Sequence, residues 1–521
     1  MRTGVAIFLV AVACVAAPAA AQADACSATD GPSLTAKLAD ASCSFITLGA
    51  GTYTSASGFT APARSVTVSG PGASSADITR TGAGDVFTVG AGATLALSGV
   101  TLGGASNGSG LNVSGTGVAQ VSNSTITGNT GSANGAGIAF SGATLTVANT
   151  LIDGNSTTGN GGGVENSGIG TATFHEVLFT GNSSTGSGGG GAADISGALG
   201  TINFKNATFT VNQADADGGA VRSAMAGATT NLSNVTMASN TADHDNAGGG
   251  DGGGISNTGG TVKIGNSIVA NNTATGGGAP DCDSAVASPL TRVGYELIRS
   301  AAGCTFGGVG DSTTGYQTGF DPQLGALLPN GGTLDTMALL PGSPAVNAGN
   351  PATPTGTGGT CDISDQRNNA RGAAVLPCDL GAFEVQRQVC HNISRTIGIG
   401  QVTPVALDCS GDPFVYSLSS PPAHGSLSGF DSMTGAVTYT PNPGFSGTDS
   451  FGYAAVNGPE SSSGWTVTFS IQGPPGTSPN APLIPLPGFD LKKALKRCKK
   501  VPKGPKRTKC IKKAKKRAKN V

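Results

Sequence analysis

The sequence predicts an all-β chain: a parallel β-helix, then a small β-sandwich, then a short basic helical tail. Three observations carry this. Glycine supplies 85 of 521 residues and charged residues only 11%, with one Trp, six Tyr and five Met, whereas ordinary globular domains hold about 7% Gly and 25% charge. A short phrase of β-formers ending in Asn recurs between residues 97 and 275. Beyond residue 388 the texture changes to alternating strand-like runs with Pro/Gly turns. Collagen is excluded because Gly shows no three-residue period, and full disorder because 38% of residues are hydrophobic and fall in short runs.

Residues 1–21 carry Arg2, the apolar run Val5-Ala-Ile-Phe-Leu-Val-Ala-Val-Ala13 and small residues to Ala21. This is the order of a secretory signal peptide, so export to the cell surface or medium is expected. No other apolar stretch reaches the length of a membrane span, so the mature chain is expected to lack a transmembrane helix. Losing Cys14 with the signal leaves ten cysteines in local couples 12 to 22 residues apart: Cys26 with Cys43, Cys282 with Cys304, Cys361 with Cys378, Cys390 with Cys409 and Cys498 with Cys510. None has C-x-x-C spacing, which favours structural disulfides over zinc.

Residues 24–45 read as an N-terminal cap, since an open solenoid end exposes unpaired strand edges. A helix over 32–41 is expected, with Leu34, Leu38 and Ala41 on one face. Residues 46–388 read as the β-helix. Its repeat is clearest in Ser122-Asn-Ser-Thr-Ile-Thr-Gly-Asn129, His175-Glu-Val-Leu-Phe-Thr-Gly-Asn182 and Ser233-Asn-Val-Thr-Met-Ala-Ser-Asn240, with the terminal Asn recurring at 129, 155, 182, 212, 240 and 272. Between copies lies a second phrase, as in Gly161-Gly-Gly-Val-Glu-Asn166 and Gly252-Gly-Gly-Ile-Ser-Asn257. One unit cannot bury its apolar edge alone, but stacked units form a continuous core with one coil per repeat. Small inward residues suit a narrow interior and explain the scarcity of aromatics; the terminal Asn is expected to stack as an amide ladder.

These phrases resemble the polymorphic-outer-membrane-protein class of right-handed parallel β-helix repeats. The later run of Asp321-Pro-Gln-Leu-Gly325, Leu339-Leu-Pro-Gly-Ser-Pro-Ala-Val-Asn-Ala-Gly349, Asp365-Gln-Arg367 and Cys378-Asp-Leu-Gly-Ala-Phe-Glu384 resembles the end of the bacterial choice-of-anchor Q family. That resemblance implies surface display and supplies no catalytic residue.

Residues 389–472 hold about 85 residues of short strands, the size of a β-sandwich. Thr438-Tyr-Thr-Pro-Asn-Pro-Gly-Phe445 and Gly447-Thr-Asp-Ser-Phe451 resemble bacterial Ig-like and cadherin-like modules of adhesins. Trp465, Val467 and Phe469 are expected to face its core together, and His424 to be a turn residue. Residues 473–489 read as a Pro-rich linker.

From residue 490 to 521 the chain carries 16 Lys+Arg and one acid, leaving 13 bases against 29 acids elsewhere. The pattern predicts a basic helical hairpin clasped by Cys498 and Cys510. Its cations Lys492, Lys493, Lys496, Arg497, Lys499, Lys500, Lys512, Lys513, Lys515, Lys516 and Arg517 suit an anionic cell-wall polymer, an acidic glycan or anionic lipid. Nucleic acid is not expected, because no aromatics interleave with the lysines to stack bases.

Parallel β-helices include polysaccharide lyases and glycosidases, yet the expected acid pairs and basic phrases of those sites are absent. Between residues 97 and 275 the only bases are Lys205, Arg222 and Lys263, with no shared phase, and no catalytic residue is assigned. The candidate metal site is the loop with Asp243, Asp245 and Asp251, where Gly-rich backbone suits Ca²⁺, with Asp215 and Asp217 as further candidate ligands; no other cofactor is expected. The sequence therefore points to an exported structural or adhesive β-helix protein that binds glycan or envelope. The alternative is a carbohydrate-active enzyme with an unfamiliar site.

Overall fold

The computed structural model describes residues 26–357, 359–371, 376–386, 388–411, 414–456, 462, 464–473, 491–500 and 504–517. The expected signal peptide and nearly all of the Pro-rich linker lie outside these residues.

Each repeat closes one coil of a parallel β-solenoid. A coil such as residues 164–184 contributes Val164–Asn166 to a nine-stranded sheet, Thr171–Thr180 to a twenty-stranded sheet and Ser183–Ser184 to a six-stranded one. Neighbouring coils pair in register, apart from a shift between Ile264 and Gly265 near the end of the solenoid: Phe174 stands between Val147 and Phe204, and Ile152 beside Phe179. The long strand bends at a left-handed residue that recurs as Asn123, Asn149, Glu176, Asn206, Asn234 and Asn266, with φ between 45° and 57°. Asn recurs here because its short polar side chain tolerates that conformation best after Gly. Glu176 is the exception.

The terminal Asn of each repeat points inward and is fully buried at 129, 155, 182, 212 and 240. Each amide Nδ2 donates to the next coil's Asn Oδ1 at 2.8–3.0 Å, from Asn129 through Asn272. The ladder ends on Asp281, whose Oδ1 accepts from Asn272 Nδ2 at 3.0 Å. An acceptor-only side chain fits that last rung. The interior is wider than the sequence suggested. Phe174, Phe179, Phe204 and Phe209 are fully buried, and Phe179 and Phe209 stack with centroids 4.6 Å apart. In-register stacking puts each ring against its neighbour's face, so the coils accommodate them.

At the start, α1 spans Gly31–Ala39, with Asp30 as its N-cap accepting from Ser33 N at 2.8 Å. Leu34 and Leu38 are buried as expected. Ala41 is not: the helix stops at Ala39 and Ala41 is exposed beyond it. Cys26 and Cys43 form a disulfide across this cap.

The second cysteine couple closes the other end of the coils. Cys282, fully buried in the last strand of the nine-stranded sheet, is bonded to Cys304. Cys304 itself is only partly buried and sits in the loop that follows the last coil, packed against the margin of the core. The bond holds that loop on the final strand, where Ser284 N donates to Gly303 O at 3.0 Å and Thr305 N to Ser284 Oγ at 2.7 Å. Edge groups that would otherwise stay unpaired are thereby satisfied.

Parallel pairing ends at Gln317–Thr318. Residues 321–385 then fold back along the solenoid over the corner that carries the left-handed residues. Arg371, 4% exposed, uses all five donors: Nε to Ser364 O, Nη1 to Asp379 O and Glu384 Oε2, and Nη2 to Asn206 Oδ1 and Gly381 O, at 2.7–3.2 Å. Arg367 grips Asp365 through Nε and Nη2 and lies 3.6 Å above the Phe383 ring. Leu339, Ala345, Leu380 and Phe383 pack on Ile268 and Leu297. The Asp-Gln-Arg and Cys-Asp-Leu-Gly-Ala-Phe-Glu phrases therefore act as a buried lock, closed by the Cys361–Cys378 disulfide.

Residues 389–472 form two facing sheets of four and three strands around Tyr439, Phe451, Tyr453, Val467 and Phe469, with Cys390 bonded to Cys409. Val467 and Phe469 are buried, while Trp465 is half-buried at the margin beside His391. His424 stacks on Phe445 at 4.1 Å. In the tail, α2 (Leu491–Lys499) and α3 (Pro505–Arg517) are joined by Cys498–Cys510, so each of the five cysteine couples read from spacing is bonded. Among the described residues no helix is long and apolar enough to cross a membrane.

Candidate functional site

Acidic and basic side chains gather on the outer face of the nine-stranded sheet. The middle residues of its three-residue strands stack in the order Asn112, Ala139, Glu165, Asp194, Arg222, Ser256, Asp283. Successive members are one coil apart, about 4.8 Å. Glu165 Oε1 accepts from Ser196 Oγ at 2.8 Å and Asn134 Nδ2 at 3.4 Å. Arg222 Nη1 donates to Asp194 Oδ1 at 3.0 Å. Asp194 Oδ2, Arg222 Nε and Ser256 Oγ are buried without a protein partner, on three consecutive coils.

Burial dominates the electrostatics of this row. It pushes the Asp194 carboxyl up to about 6, the Arg222 charge pulling the other way. Asp217 and Asp283 are also raised, first by burial, with Asp251 adding like charge to both. A weak acid at Asp194 one coil from the Glu165 carboxylate has the composition of a glycosidase pair. Its access does not match. Asp194 is 0% exposed, and the loop of residues 186–191 closes over the row. A Cβ on Gly188 would lie 2.7 Å from Arg222 Nη1, and one on Gly189, whose φ is 102°, would lie 1.9 Å from the Asp217 carbonyl oxygen, so glycine at 189 lets the loop come this close. Hydrolysis needs room for a sugar and a water beside the acid.

The bases between residues 97 and 275 do lie at different registers: Lys205 pairs with Ser233, and Lys263 with Asn231. Bases taken alone therefore do not reveal the row. Its signal was the variable position of the Gly-Gly-Val-x-Asn phrase, occupied by Glu165, Asp194, Arg222 and Ser256.

The Asp243 loop is built from local turns. Asp243 Oδ1 accepts from Gly248 N at 2.9 Å, Asp245 Oδ1 from Ala247 N at 3.1 Å and Asp251 Oδ1 from Ala279 N at 2.7 Å. Asp217 Oδ1 accepts from Asp251 N at 3.1 Å, and Asp215 lies 3.7 Å from His244 Nδ1. Asp243 Oδ2 is buried with no partner. Among the described residues no three His, Cys, Asp or Glu side chains converge as a metal-ligand set.

In the tail Lys492, Lys496, Arg497, Lys499 and Lys500 on and just after α2, and Lys512, Lys513, Lys515 and Lys516 on α3, are exposed around buried Cys498. Lys493 and Arg517 belong to the same helices, their side chains lying outside the described residues.

Residues 390–470 match the family model of the bacterial Ig domain. No curated protein and no solved structure matches the chain. The bacterial Ig domain and the five disulfides mark an extracellular type of protein.

Proposed function

We propose that this chain is an exported, non-catalytic stalk of the bacterial cell surface, whose solenoid stands off from the envelope and whose basic tail holds anionic wall polymer, acidic glycan or lipid. The observation that carries the reading is the order of modules: a disulfide-pinned cap, stacked coils, a bacterial Ig domain and a clasped basic hairpin. The motifs of the turn-back segment, which resemble the choice-of-anchor Q family, add surface display to this reading. Fractionation of cells expressing the chain with and without residues 490–521 tests the attachment. Retention of the full chain and release of the truncated one is expected; identical partitioning refutes tail anchoring.

The Glu165–Asp194 pair favours one second reading, a glycosidase whose glycine-rich loop opens. Assaying a polysaccharide panel for reducing ends separates the two. Turnover lost in Asp194→Asn would replace the stalk reading.

A further inference from the structure

The broad outer face of the first strand row in the twenty-stranded sheet carries no carboxylate. Its central column runs Phe45, Thr67, Ala96, Gln120, Thr146, Thr173, Asn203, Asn231, Lys263 in unbroken register. The flanking outward residues are Ser, Thr, Ala and Val, with His175 and Lys205 at one edge. Two copies meeting on this face therefore oppose no carboxylates, although outside the tail the chain holds 29 acids against 13 bases.

The corner that leads into this face changes character halfway along. In the early coils it is small, as in Ala61-Pro-Ala63, Gly90-Ala-Gly92 and Gly115-Thr-Gly117. In later coils it bears a ridge of exposed Ile169, Leu199 and Met225 (75%, 68% and 41%), continuing to Val286 and Val309. At the far end a cavity of about 260 Å³ opens between Thr261, Lys263, Pro289, Thr291 and Val309. At the near end Phe45 is 53% exposed.

We propose that this face is a homodimer interface in which a second copy packs antiparallel, about a twofold axis through Thr146. The two copies share one coil rise, so every coil of one meets a coil of the other. Counting coils outward from Thr146 sets Ile169 against the second copy's Gly115–Gly117 corner, Leu199 against Gly90–Gly92 and Met225 against Ala61–Ala63. The eighth coil step brings Phe45 opposite Lys263, where the cavity receives its ring. Large side chains thus meet small corners in both directions, the self-complementarity an isologous contact requires. Eight coil steps of about 4.8 Å and five residues of about 3.3 Å give a flat face of about 600 Å². The ridge brings this near the roughly 800 Å² per partner of a stable interface.

The test uses the full mature chain. Light scattering behind gel filtration is expected to give a dimer mass, and Leu199→Asp and Phe45→Asp a monomer with unchanged circular dichroism. Independently of folding in those variants, Thr146→Cys is expected to form an intermolecular disulfide with itself. Thr229→Cys, three coils from the axis, is not. A monomeric wild type, or equal cross-linking by both cysteines, overturns the proposal. So does a monomer whose face binds cellulose, chitin or soluble glucan and loses that binding in Leu199→Asp. None of these outcomes depends on envelope retention.

Discussion

Asn182→Ala is expected to destabilise the solenoid by about 3–4 kcal/mol, an effect set by hydrogen bonding within the ladder. Asn182 is fully buried. Its Oδ1 accepts from Asn155 N at 3.2 Å and Asn155 Nδ2 at 3.0 Å, and its Nδ2 donates to Ile152 O and Asn212 Oδ1, both at 2.9 Å. Truncation strips a bond from the Asn155 amide N–H, from one Asn155 side-chain hydrogen and from the Ile152 carbonyl. Each such group costs about 1–3 kcal/mol when left unmet, and water entering the vacated space holds the sum near the lower bound of about 3. Asn212 Oδ1 keeps its bond from Asn182 N at 3.1 Å, so it adds little. Because each coil touches only its neighbours, the damage stays local. Hydrogen exchange should show amides around Asn155, Ser183 and Gln213 losing protection, while those of the cap do not. Asn123→Gly is the control. It removes an exposed Asn at a left-handed turn that glycine accepts, and is expected to stay within about 0.5 kcal/mol of wild type. If Asn182→Ala lies within about 1 kcal/mol of that control by chemical denaturation, the ladder does not carry the stability assigned to it.

Glu176 occupies the left-handed position that neighbouring coils give to Asn, with φ of 57°. Its carboxyl is pushed up to about 7, first by burial and then by Asp365 and Asp362. A folded value above the unfolded one of about 4.3 means the folded chain holds the proton more tightly, so this contribution to stability falls as pH rises from about 4.3 through 7. Glu176→Asn should therefore raise the melting temperature more at pH 8 than at pH 4.5; an equal shift at both would refute the linkage. Cys498→Ser with Cys510→Ser is expected to melt α2 and α3, whose core is too small to fold without the bond, while leaving the solenoid transition unchanged; retained amide protection in residues 491–517 would contradict this. Millimolar Ca²⁺ is expected to raise the melting temperature if the Asp243 loop binds it, with the shift lost in Asp243→Ala and Asp245→Ala, and no shift in the wild type removes that assignment.

Much of the architecture was legible because it repeats. A period of 26–32 residues marks the coils from Asn129 to Asn272, and in-register stacking turns a sequence column there into a spatial one. The inward Asn could thus be placed without coordinates, and the cysteine couples followed from their short separations; the left-handed column of Asn123, Asn149, Asn206, Asn234 and Asn266 emerged only with the backbone. The candidate site was less legible. Glu165, Asp194 and Arg222 share a column only when the Gly-rich phrases are aligned on the residue after Val or Ala, and nothing in that alignment shows that glycine loops close over them. Ala41 illustrates the limit of helical periodicity: its spacing fits the face of α1, but the helix ends two residues earlier, where the chain turns toward the Cys43 disulfide.

The sequence by itself determined what local period and composition control: coil length, which side chains face inward, the cap, the paired cysteines, the separate sandwich and the basic hairpin. Only the tertiary structure decided how residues 321–385 return across the coils. Arg371 reaches Asn206 from 165 residues away and Asp362 N reaches Asn234 Oδ1 from 128. Those contacts carry no period, since each is made once, between surfaces whose fit depends on shape and charge in three dimensions. The face left bare by that return, free of carboxylates and bounded by Phe45 and Lys263, likewise exists only after the coils are stacked.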